Sequence, residues 1–176
     1  NGDTIPEVTD PFQWSNLTTG AWCWYNNNSA NGVIYGKLYN GYAVADPSGL
    51  CPVGWHVPED WEWNVLVKAI DPNADTTWNN GPLSAIAGGA MKEIGTNHWF
   101  GSNTGATNSS GFTGLPGGNR NSAGPYDTVG TNGYWWSATQ SSASIVYFIG
   151  LSYNISDVFI YDLVKTYGIS VRCVRD

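Results

Sequence analysis

The spacing of apolar residues predicts one clear helix, over residues 59–70. Trp63, Leu66, Val67 and Ile70 recur at i, i+3, i+4 and i+7, which places them on one face. Acidic residues crowd the first turn and Lys68 lies in the last turn, an arrangement that the helix dipole favours. The Asp-Pro step at positions 71 and 72 ends the pattern.

Weaker patterns predict a second helix and a set of strands. Residues 83–93 keep helical spacing, although the Gly-Gly pair at 88 and 89 weakens it. Residues 144–151, 158–161 and 169–174 read as strands. This order, without regular βαβ alternation, predicts an α+β fold with two helices on a small, twisted, mostly antiparallel sheet.

A long segment, residues 95–133, is rich in Gly, Asn, Ser and Thr. Segments of this length without secondary structure are usually disordered or functional. Regularly placed apolar and basic side chains favour an ordered loop region pinned by anchors. These anchors are Trp99, Phe112, Leu115, Arg120 and Tyr126. We expect Arg120 to donate hydrogen bonds to loop carbonyls rather than to bind an anion.

Composition and charge exclude several classes of protein. Hydrophobic residues make up 41% of the 176 residues and aromatic residues 14%, which excludes a disordered chain. No apolar run reaches the length of a membrane span. The net charge of −7, with only seven Lys and Arg, argues against nucleic acid as a partner. The chain does not begin with Met, and we expect a mature or trimmed piece.

Catalytic and metal-binding patterns are missing from the sequence. The carboxylates Glu59, Asp60 and Glu62 are expected to complement the helix dipole rather than to perform acid–base chemistry. Asp71, Asn73 and Asp75 have calcium-loop spacing, but the required Gly and Glu are replaced. We therefore predict no catalytic residues, no metal, no cofactor and no enzymatic activity.

The three cysteines, Cys23, Cys51 and Cys173, fit no zinc motif. One disulfide with one free thiol and three buried thiols are both open at this stage.

Several phrases occur in an ordered series along the chain. They are Tyr35-Gly36-Lys37-Leu38-Tyr39-Asn40, Gly49-Leu50-Cys51-Pro52-Val53-Gly54-Trp55-His56-Val57-Pro58, Leu115-Pro116-Gly117-Gly118-Asn119-Arg120, Gly133-Tyr134-Trp135-Trp136-Ser137 and Ser170-Val171-Arg172-Cys173-Val174-Arg175-Asp176. Together they resemble the Fibrobacter succinogenes major paralogous domain family. The resemblance covers residues 3–176 as a single domain.

The resemblance implies a loop-rich, C-type-lectin-like fold in a bacterial or phage protein that is secreted or displayed at a surface. Such folds bring early and terminal segments together, so we expect a buried Cys173 and consider a bond to Cys51. The sequence departs from the family in two places. A first strand is expected to be missing before Asp3, and Gly41 stands where the family commonly has Trp.

Proteins with this fold include the variable proteins of diversity-generating retroelements, in which adenines of the gene's 3′ end are rewritten. Rewritten Asn codons cannot encode Glu, Lys, Gln, Met or Trp. Residues 141–169 contain only Lys165 from that set, whereas the other 147 residues contain 20. Residues 143–169 also hold 17 apolar or aromatic residues and three charges. The fixed closing phrase follows directly, so the segment is interpreted as a diversified binding surface.

Strand alternation assigns side chains to two faces of this segment. Ile145, Tyr147, Ile149, Leu151, Val158 and Ile160 are predicted to point inward. Val146, Phe148, Phe159, Tyr161 and Tyr167 are predicted to form one exposed patch, because aromatic side chains supply contact area at low entropic cost. The alternative is that the five side chains form a second core layer.

The full predicted ligand-binding face comprises Val146, Phe148, Ser152, Ile155, Phe159, Tyr161, Leu163, Thr166 and Tyr167. The function predicted is a receptor-type variable protein for a protein ligand, with no nucleic acid and no membrane insertion by this domain. The alternative is an undiversified surface or adhesion module that binds glycan or spaces other domains. Burial is predicted for Trp55, Leu66, Val67, Ile70, Tyr134, Leu151, Val171 and Val174. Of Trp135 and Trp136, one is expected in the core and one partly exposed.

Overall fold

A computed structural model describes residues 4–77 and 80–176, so Asp3, the first residue of the predicted domain, lies outside the described residues. The helices are α1 (Pro11–Ser15), α2 (Ser29–Tyr35), α3 (Gly41–Val44), α4 (Asp60–Ile70) and α5 (Ala87–Met91). The strands are β1 (Trp22–Cys23), β2 (Leu38–Asn40), β3 (Trp55–His56), β4 (Gly81–Ser84), β5 (Asn119–Arg120), β6 (Tyr126–Asp127), β7 (Asn132–Ser142), β8 (Ile145–Ser152), β9 (Val158–Val164), β10 (Gly168–Ile169) and β11 (Val174–Arg175). The named strand pairs are all antiparallel, which confirms an α+β protein with mostly antiparallel sheets.

Helix α4 forms where the apolar spacing predicts it. Glu59 and Glu62 make a capping box, in which each side chain accepts a hydrogen bond from a backbone N–H of the first turn. Trp63 and Val67 are buried, and the half-buried Leu66 packs against the same core. Glu59 and Glu62 therefore stabilise the helix start, as predicted.

The largest sheet has the strand order β4-β9-β8-β7. Its inner face carries Ile149, Leu151, Val158 and Ile160, which are buried in the main core with Trp63 and Val67 of α4. The predicted alternation of β8 and β9 is thus confirmed. Strand β9 continues to Val164, beyond the end predicted at residue 161.

The opposite face of this sheet is covered by a second apolar layer. Val146 is fully buried and Phe148 is 6% exposed, and both pack with Trp136 and Ile169. The prediction that Val146 and Phe148 are exposed is therefore wrong. Alternation fixes the face of a side chain, but the closing segment around Ile169 decides whether that face meets water.

The second sheet has the strand order β1-β2-β10-β5-β6, and Arg120 lies in its strand β5. This fully buried side chain donates hydrogen bonds to the carbonyls of Val8, Thr9 and Gly124. Its guanidinium also lies over the ring of Trp14, 4.4 Å from the centroid. The structural role predicted for Arg120 is confirmed.

The predicted helix over residues 83–93 is wrong in extent. Residues 81–84 form β4, and only Ala87–Met91 are helical. A Cβ on Gly88 would lie 2.1 Å from the Asp157 carbonyl oxygen, and one on Gly89 would lie 2.3 Å from that of Gly105. The glycine pair therefore serves close backbone packing, which the apolar spacing alone does not reveal.

Lys92 fastens the long loop region to the main sheet. Its fully buried ammonium donates hydrogen bonds to the carbonyls of Thr104, Ser152 and Ile155, and burial lowers its pKa to about 8. Trp99 is buried as well and donates to the Gly114 carbonyl. The loop region is thus pinned by side chains, as predicted.

The C-terminal residues form two short strands instead of the single strand predicted over 169–174. Strand β10 pairs with β2 and β5, and β11 pairs with β3. Cys51 and Cys173 form a disulfide, whereas Cys23 is a buried free thiol. Cys173, like Val171 and Val174, is half-buried rather than buried.

Two predictions about tryptophan burial are wrong. Trp55 is 46% exposed, because its short strand β3 pairs only with β11 in a two-stranded sheet at the surface. Trp135 and Trp136 are both buried, since the two faces of β7 contact different cores.

Gly41 is explained by its neighbour Lys165. A Cβ on Gly41 would lie 2.9 Å from the Cα of Lys165, and the Gly41 N–H donates to the Lys165 carbonyl. The space above Gly41 is therefore filled by the backbone after β9, and a large side chain has no room there.

Within the described residues, none of the helices combines the length and the apolar content that a membrane crossing requires.

His56 predicts a pH dependence of stability. Hydrogen bonds to Asp176 (2.6 Å) and Glu62 (2.9 Å) raise the pKa of His56 above its ordinary value. The folded chain binds this proton more tightly than the unfolded chain, so the stabilisation is complete below about pH 6.5 and is lost as pH rises through the raised pKa. Urea unfolding between pH 5.5 and 8.5 should show a stability difference between wild type and His56→Gln that shrinks as pH rises. A difference that is constant over this range would contradict the assignment.

Candidate functional site

A small aromatic pocket opens on the outer face of the largest sheet. It has a volume of about 260 Å³. The lining residues, which we call the aromatic pocket, are Asn119, Tyr134, Phe148, Phe159, Tyr161, Leu163 and Tyr167. Five of the nine residues predicted for the ligand-binding face therefore line one cavity.

The strand register creates this cavity. Phe148 of β8 lies opposite Tyr161 of β9, and Gly150 lies opposite Phe159. A Cβ on Gly150 would lie 2.1 Å from the Phe159 ring, so this ring lies flat over the glycine. Gly150 thereby leaves room for an aromatic side chain on the surface of the sheet.

The aromatic rings support one another. Phe148 makes edge contacts with Tyr134 and Phe159, with centroid distances of 5.5 and 6.5 Å. Phe159 also contacts Tyr161 at 5.6 Å. These distances fall within the favourable range for aromatic pairs. The pocket walls are therefore held in place before any ligand arrives.

Exposure within the pocket is graded. Phe148 forms the buried floor, Phe159, Leu163 and Tyr167 are half-buried, and Tyr161 is 41% exposed at the rim. Four of the five residues of the predicted patch thus lie together, but they line a cavity rather than an open surface, and Val146 is not among them.

Polar groups of the pocket are few and neutral. Asn119 accepts a hydrogen bond from the Thr128 hydroxyl at 2.9 Å. Burial raises the pKa of Tyr134, so its hydroxyl stays protonated at neutral pH. None of the described lining residues carries a charged side chain. This chemistry suits an apolar group with at most one polar tip.

The other four predicted residues lie elsewhere. Val146 is part of the core beneath the pocket. Ser152 and Ile155 lie at the far end of the hairpin, where their carbonyls accept hydrogen bonds from Lys92. Thr166 is half-buried, and its carbonyl accepts a hydrogen bond from the Trp14 indole.

The sequence prediction missed Tyr134 and Asn119 as pocket residues. Both belong to fixed phrases of the chain, and Tyr134 lies opposite Gly150 in the sheet. A register prediction that paired β7 with β8 could have found Tyr134. Asn119 comes from the other sheet, so only the tertiary structure places it at the pocket.

Among the described residues, the lining of the aromatic pocket includes no Ser, Cys, His, Asp, Glu or Lys side chain. In residues 4–77 and 80–176, no group of three or more His, Cys, Asp or Glu side chains is placed to hold a metal ion. The arrangement can bind an apolar group.

Comparison with known proteins gives one match. The family model described as the Fibrobacter succinogenes major domain matches residues 1–175. Searches of the curated proteins and of the solved structures found no match.

Proposed function

This chain belongs to the Fibrobacter succinogenes major domain family, and on that premise we propose that it is a receptor-type binding protein whose aromatic pocket holds one apolar side chain of a protein ligand. The observation that carries the proposal is the convergence of Phe148, Phe159, Tyr161, Leu163 and Tyr167 on one cavity. All five belong to the apolar-rich segment of residues 143–169.

The size of the cavity supports a protein ligand. Small-molecule pockets usually have volumes of about 300–1,000 Å³, and this one is smaller, at about 260 Å³. A single Leu, Phe or Trp side chain fits this space. Interfaces between proteins obtain much of their affinity from such anchors in preformed pockets.

The pocket walls also support the diversification proposal. Phe148, Phe159 and Tyr161 lie on the rigid strands β8 and β9, whose inner faces belong to the main core. Exchange of the half-buried Phe159 and the exposed Tyr161 would alter the pocket while the inner residues keep the sheet packed. We therefore propose a retroelement-diversified surface on this hairpin, within a C-type-lectin-like fold.

Two structural features support the proposed fold and location. Strands β10 and β11 bring the C-terminal segment beside β2 and β3, as the C-type-lectin-like fold requires. The disulfide between Cys51 and Cys173 is compatible with an extracellular protein. We propose a secreted or surface-displayed protein on this basis.

The genomic test of diversification is direct. We expect a second copy of the DNA that encodes residues 141–169 close to the gene. The two copies should differ only at positions where the second copy has an adenine. Sequencing of the flanking region checks this expectation. Without such a copy, the proposal reduces to a fixed receptor with the same pocket.

Binding should depend on Tyr161. We expect peptides selected from a randomised display library on the wild-type domain to share one large apolar residue. Tyr161→Ala should weaken their binding about ten-fold or more, because it removes an aromatic wall of the anchor pocket. Calorimetric titration of the selected peptides measures the change.

Val164→Ala is the matched control. Val164 is 41% exposed like Tyr161 and belongs to the same strand, but it lies outside the pocket. Peptides that bind wild type and Tyr161→Ala equally, or that lose affinity for Val164→Ala to the same extent, would refute the pocket as the binding site.

A further inference from the structure

A second cleft lies beside the start of α4, away from the aromatic pocket. It has a volume of about 370 Å³, and its lining includes Trp55, Trp61, Leu50, Glu59 and Glu62. Trp61 is 61% exposed and Trp55 is 46% exposed. Two large aromatic side chains that both line a cleft and remain exposed are unusual in a chain whose other described tryptophans are buried or half-buried.

Two carboxylates hold side chains of this cleft in place. Glu59 accepts a hydrogen bond from the Trp61 indole N–H at 3.0 Å, which holds the indole against the helix start. Glu62 accepts from the Glu59 backbone N–H at 2.9 Å and also contacts His56. The backbone N–H of Glu59 is thus paired with Glu62, and the N–H of Asp60 is paired with the Thr139 hydroxyl.

The charge of the cleft is negative. Among the described residues, its lining includes two carboxylates, no Lys or Arg, and one basic group, His56, which is held between Glu62 and Asp176. The whole chain carries a net charge of −7. A cation is therefore the complementary ligand, and exposed indole faces attract cations through their π electrons.

A neighbouring groove indicates that the ligand is an extended polypeptide. Gly49 and Leu50 line both this cleft and a larger groove of about 680 Å³. The larger groove adds the carboxylates Glu7 and Asp46, while its one lysine, Lys37, already lies 3.6 Å from the Trp22 ring centroid. Flanking residues of a polypeptide have room there.

We propose that the tryptophan cleft, formed by Trp55, Trp61 and Glu59, binds a basic side chain of an extended polypeptide. This site is separate from the aromatic pocket and does not depend on the function proposed for it. The cation lies against the two indoles, and Glu59 supplies the opposite charge.

The test uses a singly charged probe, because a multiply charged peptide would bind any acidic surface. Nα-acetyl-arginine amide is titrated into the whole chain, and the indole N–H resonances are followed by NMR. We expect saturable shifts of Trp55 and Trp61 with a dissociation constant on the order of millimolar. The neutral isostere Nα-acetyl-citrulline amide should produce no saturable shift.

Three variants locate the site. Trp61→Ala should weaken arginine binding about five-fold, and Glu59→Gln should weaken it while retaining the acceptor that orients Trp61. Phe100→Ala, a change at an aromatic residue that is 67% exposed elsewhere, should leave binding unchanged. Circular dichroism confirms that each variant is folded.

The proposal is overturned if citrulline binds as well as arginine, if the shifts spread over the acidic surface without Trp55 and Trp61, or if Trp61→Ala binds like wild type. Binding of a neutral oligosaccharide in the cleft, with no response to arginine, would overturn it equally.

Discussion

Removing the disulfide should lower the free energy of unfolding by roughly 4–5 kcal/mol, because Cys51 and Cys173 are 122 residues apart. The cross-link removes conformational freedom from the unfolded chain, and the effect grows with the length of the closed loop. Urea unfolding of the double variant Cys51→Ser, Cys173→Ser measures the loss.

The matched control for this prediction is a reductant. Dithiothreitol should destabilise the wild type to the level of the double variant and leave the double variant unchanged. A wild type that keeps its unfolding midpoint while thiol titration finds three free cysteines would contradict the prediction. The disulfide would then contribute little to stability.

Arg120→Met should destabilise the fold by about 3–5 kcal/mol. The substitution leaves the carbonyls of Val8, Thr9 and Gly124 without their donor, and a buried acceptor without a partner is costly. It also removes the cation from the Trp14 and Tyr126 rings. Chemical denaturation followed by tryptophan fluorescence measures the change.

Two further variants separate charge from geometry. Arg120→Lys keeps the charge, but a single ammonium cannot replace a planar fork that reaches three carbonyls, so we expect an intermediate loss. Arg175→Met, at an exposed position, should change stability by less than about 0.5 kcal/mol. Equal stability of Arg120→Met and Arg175→Met would refute the anchoring role of Arg120.

Arg120 also connects the fold with the candidate site. It follows Asn119 in β5, and β5 pairs with β10 through Gly168, directly after Tyr167. The anchoring of this short strand therefore positions two residues of the aromatic pocket. We expect destabilisation at Arg120 to loosen the pocket rim as well.

Local sequence determined helix α4 and the alternation of β8 and β9. The capping carboxylates Glu59 and Glu62 lie within one turn of each other, and the side chains of a strand alternate whatever lies above them. Such features depend on neighbours in the chain, which a sequence displays directly. The family phrases were also sufficient to identify the family.

Burial of the outer sheet face was decided only by the tertiary structure. Val146 and Phe148 are on the predicted face, but Trp136 and Ile169 cover them. The residues that bury Val146 and Phe148 belong to other strands or to distant parts of the chain. The alternation of side chains within β8 therefore does not reveal this burial. The same reason explains why Trp55 is exposed in its two-stranded sheet.

The composition of residues 143–169 thus located the candidate binding surface along the chain, and strand pairing decided the shape of the aromatic pocket there. Gly150 creates space for Phe159 only because β8 and β9 pair in this register. Asn119 reaches the pocket only because two sheets meet there. The walls of a pocket come from several strands. The sequence determines which side chains each strand presents, whereas tertiary packing decides which strands lie side by side.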